Sequence, residues 1–396
     1  MPKIEKLKGA VSIASNSYGA ATGYGQQVKQ LADRLLKHGI KVANLSNYGL
    51  EGSISRIRTK HGDIEHYPKG FLPYSQDVLK LWHEHFTAQH PHLPNMLVTL
   101  YDTWVYEKSV IGVDLHAWTP IDHTNMPQQV LQTLQKDHIK PISMAPHGQR
   151  AMDAVGIANT YIPHGIDTTV YKPTEKWEGQ SIREMMDVPD DGFLVTIMAA
   201  NKANGVVHRK SIAEALLSFA LFRERHKDAY LYLHTEASNA YGGFNIAGLI
   251  KACGLDDKSV RVADGQQLRT GYPQEALAAI YSTSDVVMNI SMGEGFGLGT
   301  VEAQACGSRV IGGAWTATTD LLSENCFAIA GQPWWNETQK AWWMIPLIDS
   351  VVNALEMAYN EPRGTDDACV EFAQQFDADK VFEEKWIPYL KEHLDQ

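Results

Sequence analysis

The chain has 396 residues, 44% hydrophobic and 20% charged, which is a globular balance long enough for two α/β domains and unlike that of a disordered polymer. A formal net charge of −11 gives no overall attraction to nucleic acid or to an anionic bilayer. The four cysteines, Cys253, Cys306, Cys326 and Cys369, have no CxxC spacing, so neither a zinc site nor a disulfide framework is indicated, and reduced thiols in a cytoplasmic setting are expected.

The opening residues carry no apolar run long enough for a signal peptide, and no later segment approaches the roughly 20 apolar residues that span a bilayer. A soluble or at most peripheral protein is the expectation. The segment Gly9 to Ala14 is short, β-rich and followed by turn formers, which predicts a buried parallel strand. SNSYGAATGYG then places Gly19, Gly23 and Gly25 ahead of QQVKQLADRLLKHG, where Val28, Leu31, Ala32, Leu35 and Leu36 fall at helical spacing. With the strand IKVANL this makes one βαβ unit that has a glycine-rich turn at its strand-to-helix junction.

Further strands are predicted at Met96 to Asp102, Leu115 to Asp122 and Pro141 to Ala145. A second series starts at Phe193 to Asn201 and continues through the helix KSIAEALLSFALFRERH and the strand AYLYLHT. A helix near Ile246 to Cys253, the strand SVRVAD, a helix near Gln274 to Tyr281, the strand DVVMNIS, a helix at Val301 to Cys306 and the strand RVIGG follow. Alternation of strands and helices implies two parallel sheets in series, each covered on both faces, with Pro163 to Gly192 read as the linker. The last segment, DADKVFEEKWIPYLKEHL, has helical spacing at Val381, Phe382, Trp386, Tyr389 and Leu390, and is expected to cross back and pack on the first domain.

The chemistry concentrates in SMGEGFGLGTVEAQACGSRVI, Ser291 to Ile311. Glu294 ends a strand and opens a glycine-rich turn, and Glu302 is read in the first turn of the next helix, with seven residues between them. In an open parallel sheet, ligands bind outside the carboxyl ends of the strands, where both carboxylates point. Glycines at 293, 295, 297 and 299 let the backbone approach a ligand, and amides at a helix start favour an anion. The plainer reading, a turn plus a carboxylate that complements the helix dipole, accounts for only one of the two acids.

This string resembles the Glu, seven residues, Glu signature of retaining GT-B glycosyltransferases, family four in particular. TYIPHGIDTTVYKP, Thr160 to Pro173, is similar to that family's interdomain segment, with His164 standing where an asparagine is usual. The resemblance implies an α/β GT-B fold: two Rossmann-like, doubly wound domains facing a central cleft. The acceptor-binding domain would be 1–165, joined by the helix at about 380–396, and the nucleotide-sugar-binding domain 170–378.

The resemblance further implies a retaining, metal-independent transfer of a hexose from a UDP- or GDP-linked donor, without any cofactor. Glu294 would bind the donor sugar and Glu302 the ribose, while Gly295, Phe296, Gly297 and Leu298 would approach the sugar and diphosphate. Lys210 and Arg209, in ANKANGVVHRKS, would offset the diphosphate charge, with Lys202 as the alternative to Arg209 and solvated surface charge as the plain reading of each. His123, in WTPIDHTNMP, resembles the histidine that the family holds near the sugar, beside Asp122; an imidazole there donates to a hydroxyl or shifts a proton, though a lone histidine is more often structural. Asp102 ends the neighbouring strand, and Gly23 and Tyr24 would lie beside phosphate or acceptor unless they form a simple turn. GQQLRTGYP would enclose the base largely through backbone.

The segment PWWNETQKAWWM, with Trp334, Trp335, Trp342 and Trp343, reads as a packed insertion or a partner surface; Trp104 and Tyr106 are the better candidates for stacking on an acceptor. Two other classes stay open: a sugar-nucleotide epimerase, which needs no acceptor, and a non-catalytic nucleotide-sugar binder. The acceptor is a small molecule, glycan or protein, with nucleic acid entering only as a modified base.

Overall fold

The run Ala10–Ser15 is buried at every one of its six positions, the mark of a strand covered on both faces of a parallel sheet. The computed structural model describes residues 6–48, 52–106, 112–174, 176–203, 207–239 and 242–394. Contacts divide the chain into one unit made of Met1–Ile121, Asn125–Gly165 and Phe376–Gln396, and a second made of Asp122–Thr124 and Ile166–Gln375.

The first unit is built on β1 (Ala10–Ser15), β2 (Lys41–Ser46), β3 (Ser55–Thr59), β4 (Gly62–Tyr67), β5 (Asn95–Thr99), β6 (Leu115–Thr119), β7 (Ile139–Ser143) and β8 (Thr160–Tyr161). Their order is β3-β4-β2-β1-β5-β6-β7-β8, and only β3–β4 pair antiparallel. The β3–β4 hairpin and the helix Leu79–Ala88 were not foreseen; β3 reads SRIRT and lies largely exposed at the sheet edge, so it has no apolar run to announce it. The helix Gly23–Lys37 starts where Thr22 accepts the amide of Gly25 at 3.1 Å, and buries Val28, Leu31, Ala32, Leu35 and Leu36 on one face.

The chain's last helical turns belong to this unit. Trp386 stands edge-on to Trp118 with ring centroids 5.1 Å apart, and the hydroxyl of Tyr389 lies 2.7 Å from His116 Nδ1. An added Cβ on Gly9 would fall 2.8 Å from Leu394, so the tail packs directly on the start of β1.

In the second unit a small ribbon, β9 (Lys176–Trp177) with β10 (Gln180–Ser181), precedes β11 (Phe193–Met198), β12 (Ala229–His234), β13 (Val260–Val262), β14 (Val286–Asn289), β15 (Arg309–Gly313) and β16 (Phe327–Ile329). The sheet is wholly parallel in the order β13-β12-β11-β14-β15-β16. Val195, Ile197, Leu216, Phe219, Leu231 and Met288 lie in its core. The stretch read as a linker is in fact part of this body from Ile166 on, because Ile182 and Val188 are buried against Leu194 and Tyr232.

The tryptophan segment forms an antiparallel hairpin, β17 (Gly331–Asn336) with β18 (Ala341–Pro346). Sequence alternation placed the strand ends at Asp102, Asp122 and Asn201; β5, β6 and β11 stop at Thr99, Thr119 and Met198, and the polar residues that follow lie in the loops. Among the described residues, no helix is long and apolar enough to cross a membrane.

Candidate functional site

In the second sheet the chain runs outward from β11 to β12 and β13, then returns to β14 on the other side of β11. Loops that leave two such neighbours in opposite senses part above the sheet, and that gap is where open α/β sheets take ligands. The loop after β11 carries Arg209 and Lys210, and the loop after β14 carries Glu294. They are tied together by the amide of Met292, which donates to Arg209 O at 2.8 Å.

The side chains meet at the same place. Lys210 Nζ lies 2.5 Å from Glu294 Oε1, and Arg209 Nη1 lies 3.4 Å from Oε2 while also bonding the carbonyl of Gly293. Glu294 is only 7% exposed. Burial alone would raise its carboxyl, but the charges of Lys210 and Arg209 overcome that and hold it down at about 2. Burial lowers the Lys210 ammonium, with Glu294 opposing. The Glu294 carboxyl is therefore ionised at neutral pH.

Two glycines make the loop possible. An added Cβ on Gly293 would fall 1.9 Å from the carbonyl of Asp122, and Gly297 starts the helix Leu298–Ala305 from a φ of +100°. The amide of Glu294 donates to Thr316 Oγ1 at 3.0 Å, and Asn289 Nδ2 donates to Thr300 Oγ1 at 2.6 Å, so the loop is braced at both ends. Gly295 and Phe296 are buried, while Gly297 and Leu298 are partly exposed at the helix start.

Glu302 is a correction. The helix begins at Leu298, three residues earlier than read from sequence, so its first turn holds no acid and Glu302 lies in the second. The half-buried carboxylate faces Tyr171 and Tyr281, whose hydroxyl stands 3.4 Å from Oε2. Burial pushes Glu302 up to about 7, against the hydrogen bonds of the two tyrosines.

Asp122, His123 and Thr124 belong with the second unit, although their chain neighbours belong with the first. His123 Nδ1 lies 2.7 Å from Asp122 Oδ1, and Asp122 Oδ2 is 3.8 Å from Arg209. Burial would raise Asp122, but His123 and Arg209 outweigh it and lower the carboxyl. What sequence reasoning missed is the hairpin's share in this. Trp343 stacks on the His123 ring at 4.7 Å and 15°, Asn336 Nδ2 lies 3.2 Å from His123 Nε2, and the amide of Thr124 donates to Trp342 O at 2.9 Å. The signal was available: PWWN and AWWM alternate at period two around the turn formers, so one tryptophan of each pair faces inward.

Lys202 is exposed, and among the described residues it is not part of the ion cluster. Gly23 and Tyr24 open the first helix of the first unit, with Tyr24 edge-on to Tyr101 at 5.9 Å. Asp102 is half-buried in that unit, where its charge helps raise the Tyr74 hydroxyl. The side chains of Trp104 and Tyr106 lie outside the described residues. GQQLRT is a short helix capped by Asp264. His164 is a core residue: it stands edge-on to Trp118 at 4.5 Å, and burial pushes it down to about 3.

No protein-family model matches the chain. It is 28% identical over 174 residues to the D-inositol 3-phosphate glycosyltransferase of Arthrobacter sp. (strain FB24), a match that takes in 42% of the chain and only 36% of that protein's length. Among solved structures, it is similar to a sucrose-phosphate synthase from Thermosynechococcus elongatus (TM-score 0.73, 18% identity), with 98% of the chain and 100% of that structure covered. An Anabaena protein, HepE, solved with UDP and glucose, matches with a TM-score of 0.62 at 14% identity, over 97% of the chain and 99% of the structure. With two doubly wound sheets of this order, the chain has the GT-B fold of glycosyltransferases.

Proposed function

We propose that the protein is a retaining, metal-independent glycosyltransferase that moves a hexose from a UDP- or GDP-linked donor to an acceptor hydroxyl. The observation that carries this is the contact of Glu294 with Lys210 and Arg209 at the switch point of the second sheet. A carboxylate that keeps its charge in a buried site accepts hydrogen bonds from sugar hydroxyls. Two cations beside it oppose the charge that grows on a departing diphosphate, which is the task a metal ion would otherwise perform. The Arthrobacter relative supports glycosyl transfer, and the Anabaena complex with UDP and glucose supports a nucleotide-sugar donor.

In this reading Glu294 orients the hexose and Glu302 accepts from the ribose. The amides from Gly295 to Leu298 lie along the sugar and diphosphate, and Lys210 and Arg209 hold the leaving group. The acceptor hydroxyl attacks from the face that the diphosphate vacates, and its proton passes to the departing phosphate. On the first unit, Gly23, Tyr24 and Asp102 are placed with the acceptor. The setting is cytoplasmic, where the four thiols stay reduced.

The test is donor turnover with and without candidate acceptors, followed by mass spectrometry. Glu294→Ala and Lys210→Ala are each expected to abolish transfer while the fold is retained. Full activity in both variants would refute the site, and isomerisation of the donor without an acceptor would make the protein an epimerase.

A further inference from the structure

The amide of Asn336 cannot be turned over without loss. Its Oδ1 accepts the backbone amides of Thr338 at 3.2 Å and Gln339 at 3.3 Å, an Asx turn that closes the tryptophan hairpin. Rotating the amide would set its NH2 group against those two donors. Nδ2 is therefore the atom that faces His123 Nε2 at 3.2 Å, and because it can only donate, Nε2 must offer its lone pair.

The other ring nitrogen then carries the proton, 2.7 Å from Asp122 Oδ1. His123 and Asn336 are 2% and 7% exposed, and Trp343 covers one ring face, so water has little room to replace these partners. The charged groups around the ring are Asp122 and, beyond it, Arg209, Lys210 and Glu294. A proton on Nε2 would oppose the Asn336 amide.

We propose that Asn336 is a positioning residue that holds His123 in the tautomer protonated on Nδ1, and through Asp122 fixes the aim of Arg209. The line runs from hairpin to cation: Asn336 to His123 to Asp122 to Arg209. Nε2 faces the Asn336 amide and Nδ1 lies 2.7 Å from Asp122 Oδ1, so His123 acts by ordering Asp122. The link to catalysis rests on the reading of Arg209 as a holder of the diphosphate; the protonation state of the ring does not.

The experiment is nitrogen NMR of the full-length protein labelled in its imidazoles, with His123 assigned by the signal lost in His123→Gln. The wild-type ring is expected to show the pattern of the Nδ1–H tautomer. Asn336→Ala should populate the Nε2–H form, and Asn336→Asp should make the ring an imidazolium. A wild-type ring protonated on Nε2, or a pattern unchanged in Asn336→Ala, overturns the assignment; should that variant fail to fold, the wild-type spectrum and Asn336→Ser decide it. In the transfer assay kcat of Asn336→Ala should fall roughly tenfold to hundredfold, as misplacement of a reacting group does. Full kcat with an altered tautomer overturns the relay to Arg209. A wild-type ring as expected in a protein that turns over no donor sinks the transferase reading and leaves the assignment of the ring standing.

Discussion

Trp343 lies flat on His123, with ring centroids 4.7 Å apart and planes 15° from parallel. Its partner across the hairpin, Trp334, stacks behind it at 5.9 Å, while Trp335 and Trp342 pair on the opposite, exposed face. The two faces of one hairpin thus carry unequal energetic weight. Trp343→Ala is expected to cost about 3–5 kcal/mol in urea unfolding, as for other buried large aromatics. Trp335→Ala and Trp342→Ala should each cost about 1 kcal/mol, the range of an aromatic pair. Equal losses on both faces would contradict the assignment of the inner one.

Glu294 gives the protein an acid limit. Its folded value of about 2 lies below the ordinary 4.5, so the stability it contributes is present above pH 4.5 and is lost as pH falls toward 2. The difference corresponds to about 3 kcal/mol. Glu294→Gln should flatten the stability curve in that window, as read from urea midpoints. Lys210→Ala, which leaves the carboxylate buried with Arg209 alone, should destabilise by about 3 kcal/mol at neutral pH.

Glu302 works in the opposite direction. Its carboxyl is raised to about 7, so the free protein favours the protonated form below that value, and ionisation at higher pH costs the fold stability. A ribose that donates to the carboxylate needs the ionised form. Titration calorimetry with a UDP-sugar, whose diphosphate does not titrate in this range, should therefore give affinity that rises up to about tenfold from pH 6 to pH 8. Glu302→Gln should remove the dependence; a steeper affinity at low pH would reject the ribose role.

His164 supplies a second pH dependence, unconnected with the ligand. Its folded value of about 3 lies below the ordinary 6.5, so stability is full above pH 6.5 and declines as pH falls from there. By pH 5 the loss is about 2 kcal/mol. His164→Asn should remove that slope in denaturant unfolding, and an unchanged slope would show that the ring is protonated without cost.

Much of this was legible in sequence, and for a physical reason. Strands buried on both faces, such as Ala10–Ser15 and Phe193–Met198, are continuous apolar runs, so the parallel cores announced themselves. The Glu294 loop was legible because four glycines in nine residues have few structural uses other than close backbone approach. The edge hairpin Ser55–Tyr67 was not, since a polar edge strand has the composition of a loop. Asn336 was invisible for a different reason. Its contact with His123 spans 213 positions along the chain, and no local pattern encodes a partner that distant.

Asp122, His123 and Thr124 are counted with residues 166–375, while Ile121 and Asn125 on either side of them are not. No single cut therefore yields the second body whole. A fragment expressed from Ile166 onward would lack the acid and the imidazole that the tryptophan ribbon was shaped to receive, and would leave a slot against Trp343 and Gly293 open to solvent. Any chimera that exchanges the carboxyl-terminal half with a relative has to carry this tripeptide along or supply its equivalent, because the second body is assembled from segments that are not contiguous in the gene.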